Sequence, residues 1–432
     1  MSDLHVRYLL VGGGVAASHA AQEIRRLDAN GELLLVGQEN TRPYHRPPLS
    51  KEFLLGRRGH EELFTHPAEW FVEHRVRLRT SQRVSRLDIH RHSATLANGE
   101  EISFDHLLIA TGGGAKRLSV PGAALPNLLY LRTLEDAERL GHAMDKARRE
   151  GRPHPDKAGR GRAVVIGAGV LGLEIAGTLS TAGLHVDLAV AGEHPWDHLA
   201  GETTGKALAR FLGWRGVAVH LNSRAVRLEG DGRVQRVILA CGGAVESLEC
   251  DFAVAAVGLE VHKEILRGTP IIAEKAILVD QRCRTNIGHI YAAGDCAAIF
   301  DPLFGKHRLL DHWDSAALTG RIAGANMAGM EASFDAVSHF ESRVADLELN
   351  VWGEGKIVDR RIVRGSAGAP SPRFVEFGVA ADGRVAQIIT VGPPTEADIL
   401  PEFVRRRLRI DGNEERLKDP AVPLRELLGP DG

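Results

Sequence analysis

Two short glycine runs, each set between an apolar strand and a helix of small or apolar residues, constrain this chain more than any other feature. In the first, Tyr8–Val11 leads into Gly12-Gly13-Gly14, then Ala16, Ala17, Ala20, Ala21 and Ile24 at helical spacing, then the apolar run Leu33–Val36. The second repeats the pattern with Ala163–Ile166, the turn Gly167-Ala168-Gly169-Val170-Leu171-Gly172, a helix over Glu174–Thr181 and a strand over Val186–Val190. Each is a strand–helix–strand unit, which predicts a parallel sheet with a right-handed crossover. A dinucleotide pyrophosphate needs backbone N–H groups at a helix N-terminus, and glycine lets the chain turn tightly there and approach the phosphates. Two such turns predict two dinucleotide sites. Gly167, Gly169 and Gly172 complete the pattern in the second, whereas the first has Gly12 and Gly14 with Ala17 in the third glycine position.

An acid about 20 residues beyond each turn is expected to accept hydrogen bonds from the adenosine ribose. The first site offers Glu39, with Gln38 beside it. At the second, Val190 ends the strand and the nearest acid is Glu193, in Ala191-Gly192-Glu193-His194. A carboxylate reaching the ribose from that loop favours NADH by repelling a 2′-phosphate. His194 is the feature that keeps NADPH as the alternative.

The chain's 432 residues are too many for one ordinary core and call for two or three domains. A formal net charge of −2 gives no bias toward nucleic acid or anionic membrane. No apolar run approaches the roughly 18 residues needed to span a bilayer. The start MSDLHVRYLLVGGG has no signal-peptide pattern, so a cytoplasmic location is expected. Cys241, Cys250, Cys283 and Cys296 contain no C-x-x-C pair, which argues against structural zinc, leaving no metal site, and against a redox dithiol. They read as reduced packing thiols; Cys296, directly after Gly294-Asp295, has a reactive thiol as its alternative reading. A polar Gly/Pro-rich stretch over residues 150–161 reads as an exposed loop ahead of the second glycine unit. Ser315–Met327 reads as a helix. Farther on, Phe374–Val379 and Val385–Ile389 suit antiparallel strands joined through Asp382-Gly383.

With both turns in hand, Arg42-Pro43-Tyr44-His45-Arg46-Pro47-Pro48-Leu49-Ser50-Lys51 resembles the corresponding segment of ferredoxin-reductase-like flavoproteins, which include rubredoxin reductases, apoptosis-inducing factor and monodehydroascorbate reductase. The resemblance continues through Ala110-Thr111-Gly112, Gly167–Glu174, Tyr291-Ala292-Ala293-Gly294-Asp295 and Asp311-His312-Trp313-Asp314. It implies an α/β fold with two Rossmann-like dinucleotide-binding domains, one for FAD and one for NAD(P)H, plus a C-terminal α+β domain. The implied boundaries are 1–122 with 283–332 for FAD, 123–282 for the nicotinamide nucleotide and 333–432 for a C-terminal interface domain. It implies that Gly12, Gly14, Ala17, Glu39, Arg46, Lys51, Ala110, Thr111, Gly112, Gly294, Asp295, His312 and Trp313 surround FAD. Gly258 joins Gly167, Gly169, Gly172, Glu174 and Glu193 around NAD(P)H. It further implies a buried Lys51–Glu174 pair as the catalytic element, orienting the two rings.

Because no dithiol flanks either turn, electrons are expected to leave the flavin for an external acceptor, such as a ferredoxin, a rubredoxin or a small redox acceptor. His339-Phe340-Glu341-Ser342-Arg343-Val344 is most like monodehydroascorbate reductase, yet Glu341 stands where an aromatic is usual and Ala317 where the ascorbate-radical enzymes have arginine. A monodehydroascorbate or quinone reductase, or a slow redox-sensing flavoprotein in the manner of apoptosis-inducing factor, stays open as an alternative. Either a monomer or a homodimer is compatible with these residues.

Overall fold

The computed structural model describes residues 4–151, 161–368, 370–393 and 396–428, so most of the loop expected at 150–161 lies outside the described residues. The chain divides into two compact units, one of residues 1–46, 59–114 and 259–336, the other of residues 47–58, 115–258 and 337–432. No helix among the described residues is long and apolar enough to cross a membrane.

The first unit is built on a sheet in which Val76–Arg79, Leu33–Val36, Leu4–Val11 and Glu101–Ile109 run parallel in that order. Ile290–Ala292 pairs parallel to Glu101–Ile109, and Ser93–Leu96 and Val84–Asp88 extend the sheet antiparallel. Its first strand begins at Leu4, earlier than the apolar run suggests, because His5 and Arg7 alternate outward while Val6 and Tyr8 are buried. The register aligns Val11 with Val36 and with Ile109, and Ile109 with Ala292. Gly12, Gly37, Ala110 and Ala293 therefore leave the sheet at one level, along the carboxyl edge where open α/β sheets bind ligands.

Helix Val15–Leu27 buries Ala16, Ala17, Ala20, Ala21 and Ile24 and packs against helix Trp313–Met327. The contact is backbone-close: a Cβ on Gly320 would overlap the Ala16 carbonyl, and one on Gly324 would crowd that of Ala20.

The second unit holds a parallel sheet in the order Ala218–His220, His185–Ala189, Arg162–Ile166, Phe252–Ala255 and Leu128–Leu129. A three-stranded meander, Ser223–Glu229, Arg236–Cys241 and Ala244–Glu249, follows in the chain. A five-stranded antiparallel sheet of His339–Val344, Leu347–Gly353, Val385–Val391, Arg373–Ala380 and Val358–Ser366 belongs to the same unit. Gly383, with φ of +78°, turns the hairpin between Arg373–Ala380 and Val385–Val391. Helix Val170–Thr181 begins one turn before Glu174 because Gly169 already serves as its N-cap. Helix Leu134–Glu150 was not anticipated, although Thr133 and Asp136 form a capping box at its start.

Two candidate dinucleotide sites

In the first unit Gly12 has φ of +129°, and a Cβ there would collide with the Ala110 carbonyl. The turn is thus closed to other residues on its inner side. Gly14 is the N-cap of helix Val15–Leu27, receives no side-chain cap, and has nothing within 4 Å of where a Cβ would stand. The helix start is left clear for an anion. Ala17 is fully buried, where a side chain larger than methyl would push the helix off its strand.

Beyond Val36 the chain reaches Glu39, whose Oε2 accepts from the Tyr44 hydroxyl at 2.6 Å and whose Oε1 accepts from Arg46 Nη2 at 2.7 Å. Arg46 Nη1 also donates to the Tyr44 hydroxyl at 2.9 Å. Burial alone would depress the Arg46 guanidinium, but Tyr44, Glu39 and Asp295 outweigh it and hold its pKa above the usual value. Arg46 therefore presents a permanent positive charge braced by its own partners.

The strand ends at Ala110-Thr111-Gly112, where Gly112 has φ of +61° and the Thr111 hydroxyl donates to the His262 carbonyl at 3.0 Å. Gly294, at φ of +73°, donates its N–H to Thr319 Oγ1 at 3.1 Å and places Asp295 in a buried 3₁₀ turn. Cys296 is wholly buried, its thiol donating to the Ile109 and Ala293 carbonyls at 3.4 Å, and burial pushes its pKa up. These are the surroundings of a packing thiol. His312 stands at the N-cap position of helix Trp313–Met327, and Trp313 Nε1 donates to His45 Nδ1 at 3.1 Å. That bond requires Nδ1 to accept, so the His45 proton belongs on Nε2. His19 meets the same indole edge-on at 6.0 Å between ring centroids.

The second unit repeats the glycine geometry. Gly167 has φ of +105° against the Ala256 carbonyl, a Cβ on Gly172 would overlap the Gly167 carbonyl, and the Cβ position of Gly169 is clear to 4 Å. Gly258, at φ of +113°, is likewise open and accepts from Lys116 N–H at 3.0 Å. Glu193 is exposed on the loop after His185–Ala189.

Glu174 faces inward from the helix and is 6% exposed. Its Oε2 lies 2.7 Å from Lys51 Nζ and accepts from the Ser50 hydroxyl at 2.5 Å, while Oε1 accepts from Ser342 at 2.9 Å. Lys51 also donates to Ser50 at 3.1 Å. Such a pair tolerates desolvation because hydrogen bonds occupy both carboxylate oxygens. Residue-level reading anticipated the pair but not the two serines. Ser342 was findable, since Phe340, Ser342 and Val344 alternate inward on their strand while Glu341 is exposed. Ala317, at the position compared with an arginine, is buried.

Two anion-ready helix starts, each behind a glycine at positive φ, pair with a sequence profile of the pyridine nucleotide-disulphide oxidoreductase family that matches residues 6–320. The chain belongs to that family. As a member it is an oxidoreductase that uses FAD and NAD(P)H. It is 30% identical over 441 residues to the 5,5'-dehydrodivanillate O-demethylase ferredoxin reductase subunit of Sphingobium sp. (strain NBRC 103272 / SYK-6), covering 99% of this chain and 100% of that one. It is also 30% identical over 429 residues to monodehydroascorbate reductase 2, peroxisomal, of Oryza sativa subsp. japonica, with 93% and 86% covered. Among solved structures it resembles the covalent putidaredoxin reductase–putidaredoxin complex, at 26% identity and a TM-score of 0.89 over 99% of both chains. Despite the family's name, none of this oxidoreductase's four cysteines is joined in a disulfide, and three of them are buried.

Proposed function

We propose that the chain carries electrons from NADH through FAD to a small ferredoxin-type iron–sulfur protein. The absence of a dithiol carries this reading: reducing equivalents have no cysteine pair to enter, so they leave for an external acceptor. Relatives with ferredoxin reductase in their names support that choice. Rubredoxin is the alternative protein acceptor. Balanced, one NADH and two oxidised acceptors give NAD⁺, one proton and two reduced acceptors.

Bound FAD supplies the chemistry of taking a hydride and releasing its electrons singly. The chain's own residues bind and orient. We assign FAD to residues 1–122 with 283–332, NAD(P)H to 123–282 and an interface role to 333–432. Gly12 and Gly14 admit the flavin pyrophosphate, Arg46 offsets its charge, Asp295 accepts ribityl hydroxyls, and Trp313 with His312 lies beside the flavin. Gly167, Gly169 and Gly172 admit the nicotinamide nucleotide, and Glu193 meets its ribose. The Lys51 cation, held by Glu174 and Ser50 while Ser342 braces the carboxylate, fixes ring orientation without exchanging a proton. We place the protein in the cytoplasm, consistent with four cysteines that form no disulfide.

The deciding experiment mixes purified holoprotein anaerobically with NADH or NADPH, follows flavin bleaching, and then adds oxidised ferredoxin or rubredoxin. Rapid bleaching by NADH followed by reoxidation on adding ferredoxin is expected. Bleaching that persists in the presence of either protein acceptor would overturn the reading.

A further inference from the structure

We infer that the C-terminal antiparallel sheet sets nucleotide affinity, through Glu376 acting as a positioning residue for the loop of residues 191–201, which its own Trp196 ties to the glycine turn; this rests on the reading that the second glycine turn holds NAD(P)H.

That loop follows strand His185–Ala189, where the strand-end position is Val190 and offers no carboxylate. Ribose recognition then depends on the exposed Glu193, and so on where the loop stands. Three sets of contacts within the second unit fix it. At its stem, Val190 and Gly192 carbonyls accept from Ser223 and Asn222 N–H at 2.8 and 2.9 Å. In the middle, Trp196 donates its N–H to the carbonyl of Ala168, inside the glycine turn itself, at 3.2 Å. Trp196 has φ of +59°, a conformation unfavourable for a bulky residue, and is 1% exposed. Its indole meets Phe340 edge-on at 6.4 Å, two residues along the strand from Ser342, which binds Glu174.

At the loop's end the holding group comes from the antiparallel sheet. Glu376 is fully buried in strand Arg373–Ala380. Its Oε1 accepts from Gly201 N–H at 2.8 Å and Arg361 Nη1 at 2.7 Å, and its Oε2 accepts from the Thr204 hydroxyl at 2.8 Å. Gly201 is the N-cap of helix Glu202–Trp214 and has no cap from its own segment. The carboxylate from the other sheet supplies one. Arg361 adds a bond to the Leu199 carbonyl at 3.3 Å. A buried carboxylate bonded to three groups, the Gly201 N–H, the Thr204 hydroxyl and Arg361, holds the loop in one conformation.

Three variants test this: Glu376→Gln, the milder Thr204→Val, and Gly169→Ala, whose added Cβ meets nothing in the free protein but stands where phosphate would approach. FAD content and steady-state constants with NADH are read for each. Glu376→Gln is expected to raise KM for NADH about tenfold, and Thr204→Val about threefold, with kcat and FAD content unchanged. Gly169→Ala should raise KM at least as much. If Gly169→Ala leaves KM unchanged, the nucleotide assignment itself fails. If Gly169→Ala weakens binding while neither other variant does, or if those two lower kcat and FAD content together with KM, the positioning role is overturned.

Discussion

On the proposed assignment, the Lys51–Glu174 pair serves both the chemistry and the stability of the second unit. Replacing Lys51 by Met leaves the Glu174 charge buried with only serine hydroxyls around it, a change that costs about 3–5 kcal/mol. Lys51→Met should therefore lower the midpoint of thermal unfolding, and adding Glu174→Gln should restore much of it. Flavin reduction by NADH, followed by stopped-flow absorbance, should stay slow in both variants while FAD content holds. Recovery of the reduction rate in the double variant would show that the pair is structural alone. The lysine and glutamate were legible in the sequence because each stands in a motif with fixed spacing. Ser50 lies within one such motif without a spacing that marks it, and Ser342 is distinguished from Glu341, its outward neighbour, only by the inward face of their strand. The left-handed backbone of Trp196 was invisible, since nothing local to a tryptophan calls for it and only surrounding structure imposes it.

Among elements, the glycine turns were readable because they need no partner to be specified, whereas helix-on-helix packing does. Gly320 and Gly324 read as unremarkable glycines in an alanine-rich helix, yet both sit against the backbone of helix Val15–Leu27. Gly320→Ala should destabilise the first unit by about 1–3 kcal/mol and weaken FAD retention, measured by flavin release on dilution. Unchanged retention would uncouple that packing from the site. A second element-scale prediction concerns His220, at the end of strand Ala218–His220. Its Nε2 meets Asp187 at 2.8 Å and its Nδ1 meets Glu246 at 3.0 Å. The bond to Asp187, then the charge of Glu246, hold its pKa above the ordinary 6.5 despite burial. A raised folded value means this contribution is full below pH 6.5 and fades as pH climbs through the folded pKa. The unfolding midpoint of His220→Gln should accordingly fall short of the parent's most at low pH and converge with it at high pH. A constant gap would remove His220 as the cause.

For the whole molecule, electron exit without a dithiol makes turnover indifferent to thiol chemistry. Arsenite, which traps paired thiols, should leave NADH-driven reduction of an acceptor intact. Alkylation of the native protein should modify Cys241 alone, the other three cysteines being buried. Strong inhibition by arsenite would require a cysteine pair that the fold does not place.

The interleaving of the two units has a consequence in time as well as in space. Strand Ile290–Ala292 and helix Trp313–Met327 belong to the first unit but are synthesised only after residues 115–258 of the second. A ribosome that has made the first glycine turn has therefore not yet made Asp295, Trp313 or the helix that packs on Ala16 and Ala20. With FAD assigned to the first unit as proposed, flavin capture becomes a late event in the life of the nascent chain, and a polypeptide stopped at Gly258 should emerge colourless with an open edge on its first sheet.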